Sequence, residues 1–200
     1  MTDDRRGYRE IFADYDRETI VVSQAYGDPI ADAALEAGRF APPFSLGRMT
    51  WIKPSFLWMM GRCGWASKPG QTRVLAVRIT REGFEEALSE AVLSHPDARI
   101  HPDHGAWSEA LRASRVRVQW DPERSLRGGK LEHRSIQVGL GRGIIKDYVE
   151  RWLVELTEIT PRVKRIHDLL SAGETEQARR QLPAERRYPV PGSIAARLGM

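Results

Sequence analysis

The chain has 200 residues and a formal net charge of +4, from 31 Lys and Arg residues against 27 Asp and Glu residues. Hydrophobic residues make up 41% of the sequence, which is ordinary for a globular protein and excludes disordered and fibrous chains. The single cysteine, Cys63, excludes a disulfide framework, and the N-terminus lacks the apolar stretch of a signal peptide. We therefore expect one cytoplasmic domain that does not cross a membrane.

The first half of the chain contains three predicted strands and three predicted helices. Alternation of apolar and polar residues, with many β-branched side chains, predicts strands over residues 19–26, 49–52 and 73–79. Apolar residues at helical spacing and terminal signals predict helices over residues 30–37, 54–60 and 82–93. Asp28 and Pro29 begin the first helix in this prediction, Gly38 ends it, and Thr80 is an N-cap for the third.

The second half adds two alternating strands, over residues 115–121 and 134–140, which we expect to pair in antiparallel fashion. A weak helix is predicted over residues 105–113. The longest helix is expected where apolar residues recur every four positions, at Ile144, Tyr148, Trp152 and Leu156, and another follows from Thr160 to Gly173. These elements predict a single α+β domain over residues 1–182, with a mixed or mostly antiparallel sheet of about five strands and five or six helices. Residues 183–200 are predicted to form a proline-spaced C-terminal tail packed on the surface.

The basic residues are concentrated in two segments. No acidic residue occurs between Glu36 and Glu82, where eight basic residues lie: Arg39, Arg48, Lys53, Arg62, Lys68, Arg73, Arg78 and Arg81. Residues 112–134 carry seven basic residues against three acidic ones, so the remainder of the chain is net acidic. This separation of charge predicts an anion site within residues 37–81, assisted by residues 112–137; a solvated basic surface is the alternative.

The same acid-free segment holds three tryptophans and three phenylalanines: Phe40, Phe44, Trp51, Phe56, Trp58 and Trp65. Cations neutralise phosphate and aromatic rings stack on planar bases, so this composition favours a nucleotide or another phosphate-bearing ligand. The alternative is that the rings only fill the core. The candidate ligand-binding residues are Arg48, Thr50, Trp51, Lys53 and Arg62, with Arg134 from the second basic segment. The candidate catalytic residues are Gln24, Tyr26 and Gln137.

Three glutamines, Gln24, Gln119 and Gln137, lie on separate predicted strands beside apolar residues. A buried amide needs partners for both its donors and its acceptor, so each is expected in a hydrogen-bond network or facing a ligand. Gln137 is the most informative of them. Ser135 and Gly139 flank it on the same strand face and leave room for a ligand, although an exposed strand face would show the same pattern.

Other motifs are less informative about chemistry. His95, His101 and His104 fit no common zinc spacing, so we expect no metal site, and Cys63 is interpreted as a buried structural thiol.

An alternative interpretation of the whole chain is a non-enzymatic RNA- or DNA-binding module that uses the arginine-rich strands through Arg115, Arg117, Trp120, Arg124 and Arg127. A protein-binding adaptor, which requires an exposed aromatic patch, is a third interpretation.

Several runs together resemble one protein family. They are TIVVSQAY at residues 19–26, RMTWIKPSFLWMM at 48–60, VRVQWDPER at 116–124, RSIQVGL at 134–140 and RYPVP at 187–191. The family they resemble is called domain of unknown function 4291, and the likeness extends over nearly the whole chain. It implies a bacterial, single-domain soluble protein without an assigned activity. Ser23 stands where the family pattern has a tyrosine before Gln-Ala-Tyr.

The order of elements also resembles the ADP-ribosyltransferase superfamily. Members of that superfamily run from a first strand with a polar residue near its end, through a short helix ending in Gly, to a strand bearing Ser or Thr and a later strand bearing Glu or Gln. The matching positions are Gln24 and Tyr26, then Gly38, then Thr50, then Gln137. The resemblance implies NAD as cofactor, Tyr26 or Trp51 stacked on nicotinamide, Arg48 or Lys53 on the pyrophosphate, and Gln137 at the ribose.

Overall fold

The computed structural model describes residues 7–200, which form nine strands and eight helices. The strands are β1 (Phe12–Ala13), β2 (Thr19–Tyr26), β3 (Thr50–Ile52), β4 (Arg73–Thr80), β5 (Val92–Leu93), β6 (Val116–Arg124), β7 (Lys130–Leu140), β8 (Leu153–Glu158) and β9 (Arg186–Arg187). The helices are α1 (Asp28–Ala37), α2 (Phe56–Cys63), α3 (Arg81–Glu90), α4 (His104–Ala113), α5 (Ile145–Asp147), α6 (Thr160–Ser171), α7 (Thr175–Arg180) and α8 (Gly192–Leu198). A π-helical turn, Tyr148–Trp152, connects α5 to β8.

The strands form three sheets with mostly antiparallel pairing, which confirms the predicted α+β class. One sheet has the order β2-β4-β8, a second has the order β3-β7-β6-β5, and β1 pairs with β9. Only β5 and β6 run parallel among the strand pairs of residues 7–200. The elements that the sequence does not predict are mostly short, such as the two-residue strands β1, β5 and β9.

The β6-β7 hairpin shows how alternation divides apolar from polar residues. Val118 pairs with Val138, and both side chains are fully buried in the main core. Their neighbours Gln119 and Gln137 also pair in register, on the opposite face of the sheet. Gly128, at φ +83°, turns the chain between the two strands. The predicted antiparallel pair is therefore confirmed, and it places two amides side by side.

The predicted long helix through Ile144, Tyr148, Trp152 and Leu156 is wrong. The helical backbone stops at Trp152, and Leu153–Glu158 forms β8, which pairs with β4. The backbone groups of β4 would otherwise form an unpaired edge on that side, so tertiary pairing decides the conformation. The apolar spacing still predicts burial correctly at three positions, because Ile144, Tyr148 and Trp152 are all in the core.

Two helix boundaries also differ from the prediction. The third helix ends at Glu90, and Val92–Leu93 pairs in parallel with β6, because an apolar pair fits either a helix face or a buried strand. The second helix begins after Ser55, whose side chain accepts a hydrogen bond from Trp58 N, and continues through Gly61 to Cys63. The helix ends at Gly64, which adopts the left-handed conformation that glycine tolerates.

Residues 183–200 carry more structure than a tail. Arg186–Arg187 pairs with β1, and the Tyr188 hydroxyl donates to Glu85 Oε1 at 2.6 Å. Tyr188, Ile194 and Leu198 are buried in the main apolar cluster, together with side chains of β2, β4, β6, β7 and α3. The C-terminal residues thus complete the core beside α3.

Candidate functional site

A cleft of about 650 Å³ lies where the two larger sheets meet. The sheets join at one isolated bridge, in which Ser23 N of β2 donates to Lys53 O, just after β3, at 2.7 Å. Further wall segments come from β6, β7, α2 and the loops that follow α1 and α2. This volume lies within the usual range for small-molecule sites.

Eight of the nine residues predicted to be catalytic or to bind ligand line this cleft. They are Gln24, Tyr26, Arg48, Thr50, Trp51, Lys53, Arg62 and Gln137. They come from β2, β3, α2, β7 and the segments that flank β3, so they are far apart in sequence and are brought together by the meeting of the sheets.

A buried hydrogen-bond network forms one wall of the cleft. Gln24 Nε2 donates to the Tyr26 hydroxyl and to Thr50 Oγ1, both at 2.7 Å, and Gln24 Oε1 accepts from the Tyr148 hydroxyl at 2.6 Å. The Tyr26 and Thr50 hydroxyls are 3.0 Å apart. Every polar atom of the Gln24 amide therefore has a protein partner, which makes Gln24 a fixed support for Tyr26 and Thr50.

The two tyrosines of this network are neutral. Burial raises the pKa of Tyr148 well above its ordinary value, and burial likewise raises the pKa of Tyr26, although the hydrogen bond from Thr50 and the charge of Arg48 act in the opposite direction. Both phenols therefore act as hydroxyl groups that donate and accept hydrogen bonds at neutral pH.

Replacing Tyr148 by Phe removes the only hydroxyl that donates to Gln24 Oε1 among the described residues. An unpartnered buried amide oxygen costs about 1–3 kcal/mol, so Tyr148→Phe is expected to lower the free energy of unfolding by that amount. Urea titration, monitored by tryptophan fluorescence, measures the change in the free energy of unfolding. A variant as stable as the wild type would show that this hydroxyl is not needed to satisfy Gln24.

The cleft carries positive charge without a carboxylate in its wall. Among residues 7–200, Arg48, Lys53 and Arg62 line it, no Asp or Glu does, and none of the three has an ion-pair partner within 4 Å. By contrast, Arg73, Arg78 and Arg81 of the same acid-free segment each pair with carboxylates. Arg39 and Lys68 also have no ion-pair partner among the described residues, but both are exposed and lie outside the cleft, so the cleft brings together three of the five unpaired cations of the segment.

Lys53 is the most unusual of these cations because it is only 5% exposed. Its Nζ makes one hydrogen bond with the described residues, to Trp51 O at 3.2 Å. Burial lowers the pKa of Lys53 to about 8, repulsion from Arg62 acts in the same direction, and the charge of Asp121 partly offsets both. Lys53 is therefore a desolvated amine with free hydrogen-bonding capacity beside the cleft.

The space beside Gln137 is not empty. A Cβ atom on Gly139 would lie 2.8 Å from Met49 Sδ and 3.0 Å from the Trp51 ring, so these side chains fill the room that the glycine leaves. Trp51 pairs directly with Gly139 across β3 and β7. The expectation that Gly139 leaves room for a ligand is therefore wrong, and its role is to admit the indole of Trp51.

A carboxylate behind the wall holds the two sheet glutamines. Gln119 Nε2 donates to Asp121 Oδ1 at 2.8 Å, and Gln137 Nε2 donates to Asp121 Oδ2 at 2.7 Å. Both glutamines line the cleft, whereas Asp121 does not. Gln119 and Asp121 are two residues apart on β6, so strand alternation puts both on the face that carries Gln137.

Arg134 lies outside the cleft. It stands three positions before Gln137 on β7, and this odd spacing turns its side chain to the other face of the strand. Arg134 Nε donates to the Tyr8 hydroxyl at 2.9 Å, and its guanidinium lies 5.3 Å from the Tyr8 ring centroid. It lines a separate cavity of about 180 Å³ together with Trp120.

The residues of the nucleic-acid interpretation are distributed over several places. Arg115 pairs with Glu90, Arg117 donates to Leu111 O at 3.2 Å, and the Trp120 indole donates to Leu198 O at 3.0 Å. Arg124 and Arg127 line a second cavity of about 580 Å³. The five side chains therefore have different contact partners, and only Arg124 and Arg127 of the five share a cavity.

Cys63 is fully buried, and burial raises the pKa of its thiol, so the thiolate needed for nucleophilic attack is disfavoured.

Within residues 7–200, no cluster of three or more His, Cys, Asp and Glu side chains is arranged to hold a metal ion. The same residues include no helix with the length and apolar character required to span a membrane.

Sequence reasoning missed two contributors to the site, Asp121 and Tyr148. The spacing of Gln119 and Asp121 was an available signal for the first, since residues two apart share a strand face. Tyr148 carried no such signal, because its helical spacing predicts only that its ring is buried.

Comparison with known proteins identifies the family of this chain. The family model described as domain of unknown function (DUF4291) matches residues 10–188, which include every residue of the cleft wall. A search of curated proteins finds no match. Because the family model covers nearly the whole chain, the protein belongs to the DUF4291 family.

Proposed function

We propose that the cleft at the junction of the two sheets binds a phosphate-bearing nucleotide. The observation that carries this proposal is the convergence of Arg48, Lys53 and Arg62 on a concave site whose wall, among the described residues, contains no carboxylate. Phosphate oxygens supply the missing negative charge and accept charge-assisted hydrogen bonds from both guanidinium and ammonium groups. Binding would thus offset the cost of burying Lys53.

Aromatic and amide groups in the same cleft support a nucleotide over inorganic phosphate. Trp51 and Tyr26 are half-buried, and Phe44 belongs to the same wall. Ring faces at such positions stack on a base or nicotinamide, while the amides of Gln119 and Gln137 give directional contacts. The cleft volume of about 650 Å³ accommodates a mononucleotide or part of a dinucleotide.

NAD is the first nucleotide to test. The residues that the ADP-ribosyltransferase-like layout assigns to nicotinamide, pyrophosphate and ribose all line this one cleft: Tyr26, Arg48, Trp51, Lys53 and Gln137. Chromatography of the binding samples measures the release of nicotinamide, which an enzyme that cleaves NAD produces and a protein that only binds NAD does not. The proposal also includes a cytoplasmic location, which the single buried thiol of Cys63 supports.

The test is thermal unfolding in the presence of NAD, ADP-ribose, AMP and pyrophosphate at millimolar concentration. A ligand that binds only the folded state raises Tm, because the unfolded chain offers no competing site. Charge reversal by Arg48→Glu or Arg62→Glu is expected to weaken binding about tenfold or more, since each removes one charge-assisted contact. Calorimetric titration measures the affinities.

Arg39→Glu is the matched control. Arg39 belongs to the same acid-free segment and is exposed, but it does not line the cleft. It is expected to change affinity less than about twofold, since exposed charges beyond direct contact are screened by salt. Equal losses in all three variants would point to general charge attraction, and no Tm shift with any of the four ligands would overturn the proposed function.

A further inference from the structure

The pair of glutamines on β6 and β7 is held in a defined orientation. An ionised carboxylate has acceptor atoms only, so Asp121 takes a hydrogen bond from the amide nitrogen of each side chain and never from the amide oxygen. The contacts are 2.8 Å for Gln119 and 2.7 Å for Gln137. The flip that leaves the two ends of an amide interchangeable is therefore excluded for both residues.

This orientation determines what the glutamines offer to a ligand. Their nitrogens are directed to Asp121, and neither Oε1 atom accepts a hydrogen bond from any residue between 7 and 200. Both residues line the cleft, so the two oxygens are the polar atoms that these glutamines leave available for a ligand. Gln119 and Gln137 are register partners, whose Cβ atoms lie about 5 Å apart in such pairs, so both oxygens can reach one group.

A group that satisfies two neighbouring acceptors must supply two hydrogen-bond donors, and an amino group supplies both from a single atom. We propose that Gln119 and Gln137 recognise the exocyclic amino group of a nucleobase, and that Asp121 is the positioning residue that makes this recognition selective. The inference rests on the proposed nucleotide site and names its ligand class: nucleotides whose base carries an exocyclic amino group, with adenine and cytosine as the bases to compare. A base with a carbonyl oxygen at that position places a third acceptor against two others.

The test compares ligands that differ at this group and at the ring nitrogen beside it, which is an acceptor in AMP and CMP and carries a proton in IMP and UMP. AMP and IMP carry an amino group and a carbonyl oxygen at the same ring position, and CMP and UMP form a second such pair. Calorimetric titration of the wild type is expected to give at least tenfold tighter binding of AMP than IMP, and of CMP than UMP, because the carbonyl leaves both oxygens unpaired.

Asp121→Asn tests the positioning role. An Asn amide can accept or donate, so either glutamine can reverse its amide, and the AMP to IMP affinity ratio is expected to fall toward about one to three. The ratio cancels any general loss of stability or of phosphate affinity. Glu132→Gln, at an exposed position of β7, is the matched control and is expected to preserve the wild-type ratio.

The outcomes separate this inference from the proposed function. Binding of pyrophosphate without any preference between AMP and IMP would overturn the role of the glutamines and leave the phosphate site intact. Absence of binding by all nucleotides and by pyrophosphate would overturn both. A selective wild type whose ratio survives Asp121→Asn would overturn the positioning role of Asp121.

Discussion

Lys53→Met is expected to raise the stability of the protein while it weakens nucleotide binding by roughly 100-fold. Lys53 is 5% exposed as a residue, and its ammonium makes one hydrogen bond, at 3.2 Å, with the described residues. Folding therefore removes most of the water around this group and supplies few protein contacts in its place. A Met side chain of similar length fills the same space without that cost. The gain at pH 7 is on the order of 2 kcal/mol, and the loss of affinity follows from one lost charge-assisted contact to phosphate.

The pH dependence gives this prediction a second readout. Lys53 loses its proton near pH 8 in the folded protein, whereas the unfolded chain keeps it until about its ordinary pKa of 10.5. Between these values the unfolded state binds more protons, so wild-type stability gains from this group as pH rises from 8 to 10.5. The advantage of Lys53→Met is therefore expected to be largest at or below pH 7 and to shrink above pH 8.

Whereas the stability of the wild type is expected to rise with pH between 8 and 10.5, its affinity for nucleotide is expected to fall. Phosphate binding requires the ammonium form, so the wild-type affinity is expected to fall as pH rises above the Lys53 pKa. Lys68→Met is the matched control, since Lys68 is exposed and its Nζ donates, among the described residues, only to the backbone carbonyls of Gly61 and Arg62. A Lys53→Met protein that is less stable than wild type, or that binds nucleotide normally, would contradict the role assigned to Lys53.

Gly83→Ala is expected to destabilise the protein by about 3 kcal/mol or more. A Cβ atom at position 83 would lie 2.2 Å from Trp152 Cγ, and Trp152 is 2% exposed, so the indole has no free space to enter. Intrinsic helix propensity alone favours Ala over Gly by about 1 kcal/mol within α3. Overpacking dominates because the clash involves the ring atoms closest to the backbone of Trp152 rather than a flexible chain end.

Chemical denaturation measures this change, and Gly192→Ala provides the control. Gly192 begins α8 and has no atom within 4 Å of a built Cβ, so that substitution is expected to change stability by less than about 1 kcal/mol. Unchanged or increased stability of Gly83→Ala would show that Trp152 does not pack against α3 at this distance. It would also show that packing of Trp152 against α3 does not position the π-helical turn and Tyr148.

The sequence predicts the parts of the fold whose signals are local. The alternation in Thr19–Tyr26, the hairpin of β6 and β7 and the capping Thr80 each depend on residues within a few positions of one another, and all three are present in the structure. β8 has no such signal. Its conformation depends on pairing with β4, which lies about 75 residues earlier, and the spacing of Trp152 and Leu156 suits a helix equally well.

The residues of the candidate site also divide into those that the sequence predicts and those that only the structure shows. Residue chemistry and the charge pattern select Arg48, Lys53 and Arg62 from the sequence, because an acid-free segment is visible without a structure. Charge alone also predicts Arg134 as a ligand-binding residue, but strand alternation places its side chain on the face of β7 opposite to Gln137. The contacts of Asp121 with Gln137 and of Tyr148 with Gln24 cannot be predicted without knowing which elements lie side by side, because each contact joins two separate elements.

A crystal structure of the protein with ADP-ribose tests the central claim most directly. The proposed site predicts phosphate oxygens within hydrogen-bond distance of Lys53 Nζ and at least one of the guanidinium groups of Arg48 and Arg62. The second basic cavity, lined by Arg124, Arg127 and Arg179, is the alternative location within the described chain. Phosphates bound there, with the cleft between the sheets unchanged, would contradict the account.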